Sequence, residues 1–566
     1  MPQVSMTPEQ VFREYEQGIA YKNGMGRRGL YEQNRINERF FAGDQWRGAN
    51  CGDERPLVRY NIIKRIGEYK MAVVGSAPIS VRYSAEGFSH TAALSQTAET
   101  VKGRLAEEGT AGWPPSSREE ETAVVMSALS DYFQVTASRV RLNDLKEQVL
   151  RNAYQSGTGI LYTYWDDRIR TGLYADKSRS QPIRGDIACE VLDVENVYFG
   201  DPTTDDIQSQ PYILIAQRRT VGELRREARR YGRTAAEAAA IRPDEDRQYM
   251  AGDPAQGEPE TGKATVLTRF WKEWNEDGSA YTVKAVKTCR GAVIRPAWEL
   301  GIRLYPLAKF SWERRKGCIY GDSEITYLIP NQIAINRMMT ASVWAVMMMG
   351  MPIMVVNGDV VTQPITNDPG QIIPVYGPAD EVDKAIHYVK PPDFSPQFDD
   401  LSASLIVNTL NQAGVNSAVL GDITPDNTSA IIAVREAAMM PLNMIGQRFY
   451  GFMEDVARLF AEFWVTQYGH RSIKMEDSRG IWYLPFDGER YRDLILSARI
   501  QVGASSLWSE NQAVRTLDNL FDRQMIDVRQ YLERLPGGII PDLGGLLRDL
   551  DKAGPPVQET GTGTTI

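Results

Sequence analysis

The chain has 566 residues, of which 42% are hydrophobic and 24% charged, with a net charge of −9 and a pI near 5.3. That length exceeds what one hydrophobic core serves and predicts about three or four structural units, and the composition excludes disorder as the main state. The acidic balance excludes a broad basic grip on nucleic acid, but not a surface that nucleic acid slides past, because phosphates neutralised by Lys and Arg would hold a duplex fast.

In chain order, residues 8–42 read as helical, with Phe12, Tyr15, Ile19, Tyr31, Phe40 and Phe41 among many charges. Gly43-Asp44 stops that pattern. A second helix is predicted over 61–74 and a strand over 79–83, after the Ser76-Ala77-Pro78 break. The stretch 84–120 is polar, with an exposed loop expected at Trp113–Ser117. One long helix is predicted over 121–155, ended by Gly157 and Gly159. Strands follow at 160–165, 186–192 and 212–218, then an arginine-rich helix at 220–231 whose charges read first as a solvated face.

Residues 232–263, rich in Ala, Asp, Glu, Gly and Pro, read as a flexible insertion or linker. Composition changes at Ala264, and short β-type runs to Trp312 predict a small β-rich module. Strands and turns are expected over 353–390. Helices follow at 398–414 and 428–468, the second kinked by Pro441, which lacks a backbone donor. Strands near 472–485 and 496–502 lead into short helices at 508–522, 525–534 and 543–552. The tail from Gly554 is low-complexity and predicted to be disordered.

Between Gly321 and Val356 lies the most informative segment. A polar start, Gly321-Asp322-Ser323-Glu324, leads past Asn331-Gln332 and Asn336-Arg337 into nineteen uncharged residues, Met338 to Val356, seven of them methionine. A helix apolar on all sides must be covered on all sides. Other helices, including those of further copies of the chain, are the favoured cover. Lipid is the alternative by length, and Thr340, Ser342, Gly350 and Pro352 count against it.

Catalytic motifs are weak. Gly257-Glu-Pro-Glu-Thr-Gly262-Lys263 matches a phosphate-binding loop up to its lysine, but Ala264 replaces the Ser/Thr that holds magnesium, and a strand is expected where a helix is needed. His90, His387 and His470 stand in no metal-ligand or triad spacing. Cys51, Cys189, Cys289 and Cys318 form no CxxC pair, so reduced thiols are expected. The first residues show no secretory signal. Scattered carboxylates, such as Asp193, Glu195, Asp201, Asp205 and Asp206, leave a metal-dependent nuclease as the rival enzymatic reading.

Three groups of residues carry a family resemblance. The first is Phe40-Phe41-Ala42-Gly43-Asp44-Gln45-Trp46 with Arg55-Pro56 and Asn61-Ile62-Ile63, then the helix to Gly75 and Pro78. The second is Glu195-Asn196-Val197-Tyr198-Phe199-Gly200-Asp201-Pro202, followed by a strand and Thr220-Val221-Gly222-Glu223-Leu224. The third is Gly321-Asp322-Ser323 with Gln332 and Asn336. In order and spacing, over about residues 8–535, the chain resembles the portal (head-to-tail connector) protein of tailed bacteriophages, in its podovirus-like long form.

That resemblance implies an α+β portal fold closed into a ring, usually of twelve subunits, around a DNA channel at one capsid vertex. It implies an N-terminal helical and wing region at 1–120, wing at 121–263, clip at 264–312 and stem helix at 313–352. Wing return strands would occupy 353–397, the tunnel loop and kinked helix 398–470, further wing strands 471–507, the crown 508–553 and the tail 554–566. Gln332, Asn336, Met338, Trp344 and Met348 would pack stem against stem. Asn416, Ser417, Gly421, Asp422, Asp426 and Asn427 would face DNA in the tunnel loop. Trp271, Trp274, Asn275, Asp277 and Arg290 would meet terminase, then the tail adaptor. Implied partners are further copies of the chain, the terminase large subunit, tail adaptor proteins, major capsid and scaffolding protein, and double-stranded DNA without sequence preference. No cofactor or catalysis by the chain itself is implied.

Overall fold

A computed structural model describes residues 7–47, 57–76, 79–85, 101–102, 117–174, 182–244, 262–275, 277–278, 280–350, 353–357, 359, 361, 374, 386–389, 396–415, 428–477, 480–492, 496–502, 507–535 and 546. The protein is mixed α+β. In chain order its elements are α1 (Pro8–Gly24), α2 (Leu30–Ala42), α3 (Ile62–Gly75), β1 (Ile79–Ala85), α4 (Arg118–Arg139), α5 (Leu142–Ser156), β2 (Thr158–Tyr174), β3 (Pro182–Leu192), β4 (Val197–Phe199) and β5 (Ile213–Thr220). Then come α6 (Val221–Arg230), α7 (Ala235–Ala239), β6 (Lys263–Trp274), β7 (Tyr281–Cys289), β8 (Ala292–Glu299), β9 (Leu307–Ser311) and α8 (Glu324–Gly350). The rest are β10 (Ile353–Val356), β11 (Ile386–Val389), α9 (Pro396–Gln412), α10 (Thr428–Gln467), β12 (His470–Asp477), β13 (Gly480–Asp487), α11 (Gly488–Tyr491), β14 (Leu496–Val502), α12 (Leu507–Asp522) and α13 (Val528–Arg534).

The chain forms two compact units, one of residues 1–34, 70–323 and 442–566, the other of 35–69 and 324–441. The first is built on an antiparallel sheet in the order β4-β5-β6-β7-β8. Alternation along its strands sends Leu214, Ala216, Leu267 and Val286 to one face, where Val11, Phe12, Tyr15 and Ile19 of α1 cover them. The opposite face carries Ala264, Val266, Cys289 and Ile294 at one end, beneath Val221, Leu224 and Ala228 of α6 and Ala238 of α7. The same unit holds the sheet β3-β2-β9 and the pairs β1-β14 and β12-β13. The 442–467 part of α10 contributes Trp464, whose ring meets Tyr83 and Tyr132 edge-on or tilted at 5.8 and 5.4 Å.

Local chemistry explains the helix boundaries. Thr7 and Gln10 form a capping box that starts α1. The helix expected over 8–42 is two helices, broken where Gly26 and Gly29 take positive φ of 61° and 80°. The long helix expected over 121–155 is also two. Arg141 sits at φ 52° as the first residue outside α5, with no glycine to announce the break.

Lys22 is fully buried on α1. Its ammonium donates to the carbonyl oxygens of Val194, Glu195 and Val197 at 2.7, 2.9 and 2.8 Å and lies 3.7 Å from the centre of the Tyr198 ring. Burial pushes its pKa well below the lysine range, and Glu195 and Asp193 pull it back. Three carbonyls occupy three donors, a match that only the ammonium form completes.

Three sequence expectations need correction. Residues 264–299 are not a separate module: β6 pairs along its length with β5, from Ile213↔Phe270 to Thr220↔Lys263, so the boundary at 264 falls inside one sheet. Leu307–Ser311 then leaves that sheet to pair with β2. Nor is 232–244 a flexible linker. Thr234 and Glu237 cap α7, Ala238 and Ile241 are buried, and Asp244 forms an ion pair with Arg218 and accepts from the Thr265 amide at 2.7 Å. The segment expected as the stem helix over 313–352 is helical only from Glu324, after a loop bridged at Glu313 and Asp322.

In the second unit α8 runs beside α9, with Asn331 donating to Thr409 and Gln412 at 3.3 and 3.2 Å, and β10 pairs with β11. Pro330 lies inside α8 and Pro441 inside α10, which continues through it.

Candidate functional site

The residues expected to pack stem against stem divide by depth. Gln332 and Asn336 are buried inside the second unit, where the chain around residue 60 crosses α8. The Gln332 carboxamide oxygen accepts from the Ile62 and Ile63 amides at 3.0 and 3.3 Å, capping the start of α3. Its NH2 donates to the carbonyl of Tyr60 at 2.6 Å and to Asn336 Oδ1 at 2.9 Å. Asn336 accepts from the Tyr60 amide at 3.1 Å and donates to Gln45, which in turn donates to the Phe40 carbonyl at 2.9 Å. These side chains therefore tie segments of one chain together, a role that the sequence did not show. Gln332→Leu strands two amides and a carbonyl, and we expect a loss of about 3 kcal/mol, read from the denaturant midpoint.

Further along α8 the apolar residues lose their cover. Met338 and Trp344 are half-buried, whereas Val343, Val346 and Met347 are exposed, Val346 by 63%. Tyr327 is exposed on the same helix, and Leu401 and Val407 on α9. The side chain of Met348 lies outside the described residues. So do all six residues expected of the tunnel loop: Asn416, Ser417, Gly421, Asp422, Asp426 and Asn427.

The five residues expected to meet terminase and the adaptor do not form one site. Trp274, Asn275 and Asp277 cluster at the exposed β6–β7 tip. There Trp274 packs edge-on against Tyr281 at 4.9 Å, and the Asn275 amide donates to Ala280 at 2.8 Å. Trp271 lies back on the sheet, 5.4 Å from the Arg269 guanidinium. Arg290 occupies the turn at the other end of β7, paired with Glu16 at 3.4 Å. The rise of a nine-residue strand puts the two ends about 30 Å apart.

Gly321-Asp322-Ser323 has a role that its sequence did not disclose. Gly321 donates to Thr158 Oγ1 at 2.8 Å, Ser323 donates to the Tyr154 carbonyl at 2.6 Å, and the Gly157 carbonyl accepts from Trp312 at 2.9 Å. The motif is thus stitched to the α5–β2 junction. The tight fit leaves no room at Gly157, where an added Cβ would sit 2.2 Å from the Gly321 carbonyl oxygen.

Lys263 opens a strand, not a helix, so the phosphate-loop context is missing. Among the described residues, no group of three or more His, Cys, Asp or Glu could hold a metal ion. His470 is exposed beside Asp487 at 3.5 Å and His387 is exposed on β11, while His90 and Cys51 lie outside the described residues. Cys189, Cys289 and Cys318 form no disulfide, and burial pushes the first two thiols up to about 12 and about 11. Among the described residues no helix is long and apolar enough to cross a membrane. No protein-family model matches the chain, and no curated protein matches it.

Proposed function

We propose that this chain is a portal protein, assembling into a ring at one capsid vertex of a tailed bacteriophage. The observation that carries the reading is the uncovered apolar surface of α8 and α9. A single copy leaves Tyr327, Val343, Val346, Met347, Leu401 and Val407 exposed on one compact unit, and the sequence continues uncharged to Val356. Surfaces of this kind mark association sites, and identical neighbours that repeat one contact by rotation close into a ring. Methionines suit such a seam because their thioether side chains adapt to small shifts between neighbours.

On this reading the ring nucleates capsid assembly with the major capsid and scaffolding proteins and docks the terminase large subunit. It passes double-stranded DNA inward, retains it, and later releases it through the tail adaptor. The exposed β6–β7 tip with Trp274 and Asp277 is the part of the clip region suited to partner contact.

Native mass and electron-microscope class averages of the purified full chain test the proposal. Closed rings of about twelve subunits with a central hole are expected. A monomer or dimer at every salt concentration overturns it. Val346→Glu places a charge where the free chain tolerates it and a packed seam does not, so we expect a folded protein whose ring population falls at least tenfold.

A further inference from the structure

The first unit contains a cleft of about 420 Å³ that none of the roles above uses. Its floor is the half of the five-stranded sheet that α6 and α7 leave uncovered. Strand register sets Ile215, Thr268, Lys287 and Arg295 in one row across β5, β6, β7 and β8. Lys287 and Arg295 stand directly opposite each other, a like-charge pairing that weakens a sheet. Of the two, among the described residues, only Lys287 has a carboxylate at ion-pair distance, donating to Glu227 at 2.7 Å. The Arg295 guanidinium lies over the rings of Trp298 and Tyr231, 3.7 and 4.3 Å from their centres. Arg219, at the cleft edge, donates at 3.3 Å to the Gln217 carboxamide. Among the described residues neither Arg219 nor Arg295 makes an ion pair.

The opposite wall is aromatic. Tyr162 and Tyr164 stack at 5.1 Å along β2, and Tyr162 meets Phe270 of the floor at 6.0 Å. Burial lowers the pKa of both Lys287 and Arg295, and Glu227 beside both and Asp167 near Arg295 offset that only in part. At the rim, however, the lining turns acidic, with Asp166, Asp167, Glu190 and Glu299, of which Asp167 is paired with Arg230 at 2.9 Å. A nucleic-acid strand would bring neighbouring phosphates against those carboxylates. A peptide bearing one carboxylate would not.

We infer that this cleft is a binding site for a partner protein's acidic peptide, taking one Asp or Glu carboxylate between Arg219 and Arg295 and an adjacent aromatic side chain against Tyr162, Tyr164 and Phe270. A planar guanidinium held flat by rings, as that of Arg295 is by Trp298 and Tyr231, is suited to paired hydrogen bonds with a carboxylate. The site goes beyond the portal reading and does not depend on it.

The test is calorimetric titration of the full-length protein, in whatever assembly it forms, with the capped peptide acetyl-Gly-Phe-Glu-Gly-amide at up to 10 mM. The glutamine counterpart, inorganic phosphate and a ten-residue oligo-dT serve as comparisons. The glutamate peptide should bind at least tenfold tighter than the glutamine peptide. Arg295→Gln should erase that preference while leaving the melting temperature and assembly mass of the protein unchanged. Should Arg295→Gln disturb the fold, the exposed Arg219→Gln serves, with at least a threefold loss expected. Equal binding of the two peptides, no binding of either, or tighter binding of phosphate or oligo-dT overturns the proposal.

Discussion

Replacing Gly157 by alanine is expected to cost about 4 kcal/mol or more, placing it among the most damaging single-methyl additions available to this chain. Two separate penalties combine. Gly157 has φ +82°, where a residue with a Cβ is strained by roughly 1–2 kcal/mol. Its new methyl would also lie 2.2 Å from the Gly321 oxygen and 2.8 Å from the Asp322 carbonyl carbon, both backbone atoms that cannot rotate away. Gly232 separates the two terms. It has φ +79° and nothing within 4 Å of its added Cβ. Gly232→Ala should therefore cost only the roughly 1–2 kcal/mol of backbone strain. Chemical denaturation of both variants measures the difference, and equal losses would show that the contact with Gly321 is not tight.

Lys22→Met is expected to be of similar severity, about 3–5 kcal/mol. Methionine fills much of the same volume but offers nothing to the carbonyls of Val194, Glu195 and Val197. A buried polar group left without a partner costs roughly 1–3 kcal/mol. The Val194–Asn196 turn's own bonds are short-range, from the Glu195 and Asn196 amides to Asp193 and from the Val197 amide to Val194, with Asn34 donating to the Glu195 carboxylate at 3.3 Å. Hydrogen exchange should therefore report the damage first at residues 194–199. Lys22→Arg is a useful companion, because it keeps the charge but spreads its donors over a plane wider than the pocket. Wild-type stability in Lys22→Met would mean that water replaces the ammonium at no cost.

How much of this was legible in sequence varies by element. The helix from Glu324 was readable because a polar start precedes a long uncharged run. The expected break after residue 156 was equally plain, since Gly157 and Gly159 stop a helical pattern. The interruption between α1 and α2 had a signal too, in Gly26 and Gly29, but the strong flanking periodicity outweighed it. Arg141 gave none, because a long charged side chain in the left-handed region is a tertiary compromise with no compositional trace. Sheet pairing was the least accessible level. Val266 finds Gln217 across an acidic, Gly- and Pro-rich stretch, and no local pattern names a strand's partner. For the same reason Gln332 and Asn336 were readable as important polar residues on an apolar helix but not as anchors for the chain around Tyr60. The cleft under Arg295 could not be read at all. Its residues come from β2, β3, β5, β6, β7, β8, α6 and α10, and only the tertiary fold sets them side by side.

The cover that α1 provides for the five-stranded sheet also has a consequence for synthesis. Val11, Phe12, Tyr15 and Ile19 leave the ribosome well before the sheet, and the face they cover is complete only once Val286 has been made, about 270 residues later. At roughly 5–20 residues per second, the helix must wait on the order of ten to fifty seconds with its apolar side unprotected. Nascent chains of this protein should therefore be strong clients for chaperones that bind early at the tunnel exit, and slower translation between α1 and β7 would prolong that dependence.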